Sequence, residues 1–345
     1  MIMDINLDLP YLTQDLPGIG GKIRKTPDSF IVEEIPLYEP LGIGKHLYIN
    51  ITKENLTTRQ LQEKLANFFN ISVKNVGFAG MKDKNAITTQ TFSISEFDSI
   101  EKAKELIESN LPVKVNWLRF HKNKLKIGHL LGNKFKILIS DLEISNEEAL
   151  ERTKNIVKEI RKRGLPNFFG PQRFGFNGNN IQKGFDIVQG KLNINNRWMK
   201  KFLISSYQSY LCNKYLAYRL EKGLFNKILK GDIAKKYDTG GLFEVEDQEK
   251  EQERYENHEI SFTAPIYGYK MWETTEFARE LESKILSDFD MTLEKLRLAK
   301  IKGTRRLGRL LIRELSAETK KDGILLTFSL PKGAFATTFL REIMK

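Results

Sequence analysis

The spacing of apolar and polar residues changes period several times along the chain. Residues 30–35 and 46–51 alternate as strands do and are separated by a turn containing Pro40, Gly42 and Gly44. Residues 57–69 then take helical spacing, with Leu61, Leu65 and Phe68 on one face, and a second helix is predicted from Ser99 to Ser109. Three short strands at 113–119, 125–130 and 134–140 predict an antiparallel meander. Ser145 and Glu148 form a capping box ahead of Leu150, Thr153, Ile156, Val157 and Ile160, a helix that should stop near Gly164 and Pro166. Helices at 196–220, 275–286 and 291–300 follow; residues 324–330 return to strand character and 334–343 close the chain as a helix. The pattern describes an α+β protein in which one sheet domain is interrupted by a mostly helical insertion.

Composition narrows the class. With 345 residues, 40% apolar and 29% charged, the chain has the balance of a globular protein with a sizeable core, and bulk disorder is excluded. The single cysteine, Cys212, excludes an intrachain disulfide. His46, His121, His129 and His258 lack H-x-x-x-H or H-x-E spacing, so no metal is expected. No run approaches the about 20 apolar residues of a membrane span, and the N-terminus lacks a basic segment followed by an apolar one. A cytoplasmic protein with no membrane role is the expectation.

Charge is uneven. The net charge is +12, yet residues 244–259 hold eight acidic and two basic side chains, a local charge of −6, which leaves +18 on the remainder. Residues 117–136 carry six Lys/Arg and no Asp/Glu, with Trp117, Phe120 and Phe135 interleaved; residues 297–313 carry seven and again no acid. Arg161, Lys162 and Arg163 lead into an aromatic, glycine-rich loop. Cations for phosphates next to aromatic faces for bases favour a nucleic-acid partner. The glycine pairs at 18–21 and 42–45 complete neither a phosphate-binding loop nor a dinucleotide fingerprint, and no glycine-rich loop suits a methyl-donor nucleoside.

One segment carries chemistry. Residues 77–93, GFAGMKDKNAITTQTFS, describe a tight turn presenting Asp83 between Lys82 and Lys84 before a β-prone run. On composition alone this is a surface turn. The whole stretch, however, resembles the G-[YF]-A-G-x-K-D-[RK] and T-x-Q signature of the TruD family of tRNA pseudouridine synthases. Residues 26–47 resemble the family's F-x-V-x-E segment, 116–135 its basic stretch ending in G-N-x-F, 166–175 (PNFFGPQRFG) its central loop, and 303–306 and 330–342 its C-terminal elements. Residues 264–268 resemble a G-P-x-x-G turn with Ala264 in place of glycine.

The resemblance implies a pseudouridine-synthase catalytic domain, residues 1–159 and 304–345, with a mixed, mainly antiparallel sheet, and an inserted domain at 160–303. It implies isomerisation of a tRNA uridine, at position thirteen in the D arm, without cofactor. Asp83 becomes the catalytic carboxylate, as nucleophile or base, and Phe30, Asn133 and Phe335 match positions that contact the target nucleotide. Taken alone, Phe30 and Phe335 read as core residues. Lys82 and Lys84 either help to keep Asp83 ionised or, in an extended segment, point away from it towards solvent or RNA. Phe135 shares a strand face with Asn133 and supports it. Arg173, Arg305 and Arg306 are candidates for RNA phosphate contact or for support of the site. A catalytically inactive tRNA-binding protein or RNA chaperone is the other reading, and the retained Asp83 motif argues against it.

Overall fold

The computed structural model describes residues 5–95 and 100–345. In chain order the elements are β1 (Phe30–Pro36), β2 (His46–Lys53), α1 (Thr58–Phe68), β3 (Gly77–Phe78), β4 (Ile87–Ser95), α2 (Ile100–Asn110), β5 (Val113–His121), β6 (Leu130–Ser140) and α3 (Asn146–Arg163). They continue with β7 (Leu165–Pro166), α4 (Asn179–Val188), α5 (Arg197–Glu221), β8 (Ile233–Lys236), β9 (Leu242–Glu244), α6 (Gln248–Glu256), β10 (Ile260–Ile266), α7 (Glu276–Asp288) and α8 (Leu293–Leu298). Last come β11 (Thr304–Leu307), β12 (Arg309–Leu310), β13 (Arg313–Lys320), β14 (Gly323–Pro331) and α9 (Ala336–Met344). Two compact units result: the first holds Gly18–Val157, Ile312–Gly333 and Ile343–Lys345, the second the residues up to Pro17, Lys158–Leu311 and Ala334–Glu342. The division falls inside α3.

The first unit is built on an eight-stranded sheet in the order β13-β14-β6-β1-β4-β2-β5, with β3 added to β4. Only β1 and β4 run parallel; every other pairing in this sheet is antiparallel. The mixed, mainly antiparallel α+β sheet is therefore present, but the expected meander is not. β5 pairs with β2, whereas β6 lies between β14 and β1. Residues 125–129 form a turn in which Gly128 takes φ 91° and the His129 N–H donates to the Lys126 carbonyl at 3.0 Å. Leu125 is apolar there because it packs with Tyr48, Ala79 and Leu130, so its hydrophobicity reports a core contact rather than a strand.

α1 follows its sequence logic closely. Thr57 and Gln60 exchange side-chain and backbone hydrogen bonds in a capping box. Leu61 and Leu65 are fully buried against Ile49, Ile51, Phe92 and the α2 residues Ala103 and Ile107, each leucine contributing about 1.5–3 kcal/mol. α2 begins in the described chain at Ile100; its predicted start, Ser99, lies outside the described residues.

The second unit surrounds the 25-residue α5, capped by Asn196, whose side-chain oxygen accepts from the Met199 N–H at 3.0 Å. Its four-stranded antiparallel sheet, β11-β10-β8-β9, was not foreseen. These strands are short, and the fully paired β10 reads ISFTAPI, too polar to betray its burial. In the core, Arg219 and Asp232 form a completely buried ion pair at 2.9 Å, with the guanidinium 3.8 Å from the Phe262 ring centre. Cys212 is buried, and burial pushes its thiol up to about 12, which keeps it protonated and unreactive. The acidic stretch is a helix, α6, capped by Asp247. Glu249 and Glu251 sit in its first turn and Arg254 in its last, as the helix dipole favours. Among the described residues no helix is long and apolar enough to cross a membrane.

Candidate active site

The register of β1 against β6 assembles one wall of the site. Phe30, Val32 and Glu34 stand opposite Ile137, Phe135 and Asn133, and β14 continues the rows with Leu326, Phe328 and Leu330. Directly paired residues share a sheet face and alternate with their chain neighbours, so these side chains project together. Phe135 is buried and stacks on Phe328 with ring centres 5.1 Å apart, on the same strand face as Asn133. The Asn133 side-chain oxygen is buried and has no hydrogen-bond partner among the described residues. An unfilled buried acceptor in a strand is destabilising unless a ligand donor satisfies it.

Asp83 lies on the turn between β3 and β4. Its carboxylate is 56% exposed and accepts a hydrogen bond from the Arg24 guanidinium at 2.6 Å. Arg24 holds a left-handed backbone conformation, φ 63°, and lies over the Phe30 ring at 4.3 Å, so one guanidinium joins Phe30 to Asp83. Phe30 itself is 2% exposed, beneath that arginine.

The turn is anchored from beneath. Lys82 points inward and pairs with Glu34 at 2.7 Å, both side chains being 3% exposed. The other Glu34 oxygen accepts from the Thr91 N–H at 3.3 Å. Lys82 thus reaches neither solvent nor RNA, contrary to the extended-segment expectation, because the chain turns here and the buried carboxylate of Glu34 captures it. Lys84 is exposed and forms no ion pair among the described residues. The Lys82 N–H donates to Thr58 Oγ1 at 2.9 Å, Thr58 donates to Gln90 Oε1 at 2.9 Å, and Gln90 Nε2 donates to the Gly80 carbonyl at 3.3 Å. Gly77 approaches the Leu125 carbonyl so closely that a Cβ would lie 2.2 Å from it, which explains a glycine at the entry to the turn.

Lys53, 1% exposed, completes the floor. Its ammonium donates to the carbonyls of Leu56 at 2.5 Å and Asp83 at 3.4 Å. Burial, aided by the Lys82 charge and opposed by Asp83, pulls its pKa down to about 8.

The remaining candidates lie in the second unit. Phe335 packs beside Phe169, ring centres 5.9 Å apart. Arg173 is half-buried, donates to Ser205 Oγ at 2.7 Å and lies 5.4 Å from the Phe202 ring; burial lowers its pKa, and its Nε has no partner among the described residues. Arg305 does not present its charge. It is 1% exposed, forms a bidentate pair with Glu282 at 2.7 and 3.0 Å, and donates further to Thr263 and the Trp272 carbonyl. With these donors engaged, a direct phosphate contact is closed to it, which corrects the expectation for this residue. Arg306 donates to Asn167 and covers the Phe169 ring at 4.0 Å; burial lowers its pKa to about 10, so it supports the 166–175 loop from inside.

Arg24, Lys53 and Thr58 escaped the sequence reading, having no distinctive spacing. Glu34 and Gln90 had a signal, as the last residues of F-x-V-x-E and T-x-Q. Among the described residues no group of His, Cys, Asp or Glu side chains gathers as a metal site.

An exposed carboxylate held by one arginine, beside a buried aromatic and set on a rigid turn, stands where the resemblance to the pseudouridine-synthase class of enzymes expects its carboxylate. The sequence model of the tRNA pseudouridine synthase D (TruD) family matches residues 6–195 and 192–343. The tRNA pseudouridine synthase D of Thermus thermophilus is 42% identical over 336 residues, 97% of this chain and 92% of the relative. That of an Anaeromyxobacter species is 35% identical over 346 residues, 98% and 96% of the two chains. A crystal structure assigned to tRNA pseudouridine synthase D from Methanosarcina mazei superposes with a TM-score of 0.78 at 27% identity, covering 99% of this chain and 96% of that one. The chain belongs to the TruD family.

Proposed function

We propose that the protein isomerises a uridine of tRNA to pseudouridine, at position thirteen in the D arm, and does so in the cytoplasm. The observation that carries this reading is the Asp83 carboxylate, exposed on a turn whose other side is locked by buried ion pairing and hydrogen bonds. Residues 1–159 and 304–345 are the catalytic domain and residues 160–303 the inserted one.

The reaction breaks the bond between uracil N1 and ribose C1′, turns the base, and joins C5 to C1′; C5 loses a proton and N1 gains one. The uridine must leave its stack to reach the carboxylate. Asp83 acts on the ribose, as nucleophile at C1′ or as base at C2′, and in either role it leaves Arg24 for the substrate. The pair is exposed, so its exchange for a ligand is inexpensive. Asn133 offers its unfilled oxygen to the uracil N–H, and Phe30 contacts the flipped nucleotide, as the family resemblance assigns. Arg173 and Lys84 are contacts for phosphate.

The test is tRNA carrying tritium at uracil C5, incubated with the protein. Tritium release is expected, and pseudouridine-specific modification with primer extension should stop at position thirteen. Absence of release would refute the isomerase; a stop elsewhere would refute the site.

A further inference from the structure

We propose that a groove in the second unit, between α5 and the turn after α8, binds the sugar-phosphate backbone of the substrate RNA. The inference rests on the tRNA reading above and assigns that RNA a second anchoring place. The groove is a cavity of about 510 Å³. Arg197, Lys200, Lys201, Ile204 and Gln208 line one wall, spaced so that one face of α5 carries them all; Lys300 and Lys302 line the other. Five cations and no acid meet here. Among the described residues none of the five forms an ion pair, although Arg305, three residues beyond Lys302, is fully engaged with Glu282. Like charges converging without a counter-charge repel one another, and a polyanion relieves that repulsion.

The groove is preformed. Gln208, 5% exposed, donates to the carbonyls of Tyr267 at 2.6 Å and Lys302 at 3.0 Å, which fixes α5 to the opposite wall. Ile204 and Ile301 give an apolar floor on which riboses can pack. Lys300 sits at the helix end in a left-handed conformation, φ 54°, where glycine is usual. A lysine is held there at the expense of about 1 kcal/mol or more of backbone strain. Trp198, next to Arg197 and 68% exposed, stacks on Phe202 at 5.5 Å with the rings 6° from parallel, and so offers a ready platform for a base. The breadth of the cationic lining suits a chain of phosphates better than a single anion.

Two measurements test this. In the R197Q/K200Q/K201Q/K300Q/K302Q variant, the slope of log Kd for tRNA against log salt should fall by about three to four, with binding weakened by about a hundredfold at moderate salt. A slope change below one would overturn the proposal. On the wild-type protein, where folding of a variant is not at issue, saturating tRNA should reduce acetylation of Lys200, Lys201, Lys300 and Lys302 by at least about threefold, the shielding expected of phosphate contacts. Unchanged labelling, or protection by polyglutamate and not by tRNA, would contradict it. Tritium release by the wild type separates the two readings: release without protection removes the groove and keeps the enzyme, and protection without release does the reverse.

Discussion

The two sides of the 79–86 turn treat charge in opposite ways. Lys82 faces inward to Glu34 with both partners 3% exposed, whereas the next residue, Asp83, faces outward to Arg24 with its carboxylate 56% exposed. Removing one member of a buried pair strands the other without water, so such a pair fixes geometry. An exposed pair contributes little to stability and is readily traded for a ligand. In the proposed reaction, position comes from the first pair and chemistry from the second. The second unit repeats the contrast, with Arg305 locked onto Glu282 while the nearby Lys300 and Lys302 form no ion pair among the described residues.

The largest expected effect comes from breaking the inner pair. Glu34→Gln leaves the Lys82 ammonium buried without its partner and should destabilise the protein by about 3–5 kcal/mol, read as a lower midpoint in urea unfolding. A loss under about 1 kcal/mol would place that pair with the exposed ones.

Next comes the ammonium of Lys53 beneath the same turn. Its pKa is depressed in the folded chain to about 8, while unfolding restores the ordinary 10.5. The unfolded state therefore binds more protons between these values. The penalty of burying the charge is fully present below pH 8 and is relieved as pH rises towards 10.5. Unfolding measured across that window should show an increment on the order of 2–3 kcal/mol that Lys53→Met lacks. An identical pH profile for both proteins would contradict the buried, charged lysine.

The outer pair should matter least for stability. Arg24→Gln is expected to shift the unfolding free energy by less than about 1 kcal/mol. Turnover should nevertheless fall by about tenfold to a hundredfold, because the carboxylate is no longer held in place for the arriving nucleotide before it exchanges Arg24 for the ribose. A large stability loss with unchanged turnover would reverse the roles of the two pairs.

Much of the first unit was legible because its period is clean: β1, β2, β14 and α1 occupy nearly the predicted spans. Asp83 was legible through its signature rather than its composition. What could not be read is long-range. Nothing near Glu34 in the chain says that it will stand beside Asn133 or reach Lys82, since strand register and the fold of the turn decide both. Burial of charge was equally hidden: Arg305 and Arg306 sit in a run of cations that resembles a binding face, and partners far away in sequence, Glu282 and Asn167 among them, turn them inward. The second sheet was missed because residues within it, such as Ser261 and Thr263, are buried polar groups satisfied by hydrogen bonds, which periodicity does not register.

The division of labour across the turn is tested most directly by Asp83→Asn, assayed for tritium release and tRNA binding in parallel. The side chain is exposed and its one ion pair among the described residues is with Arg24, so the variant should fold and bind tRNA within about twofold of the wild type. Release should fall by at least about a thousandfold, within the range for loss of an essential acid, base or nucleophile. Release at the wild-type rate would remove Asp83 from the chemistry and contradict the assignment of the outer side of the turn to catalysis.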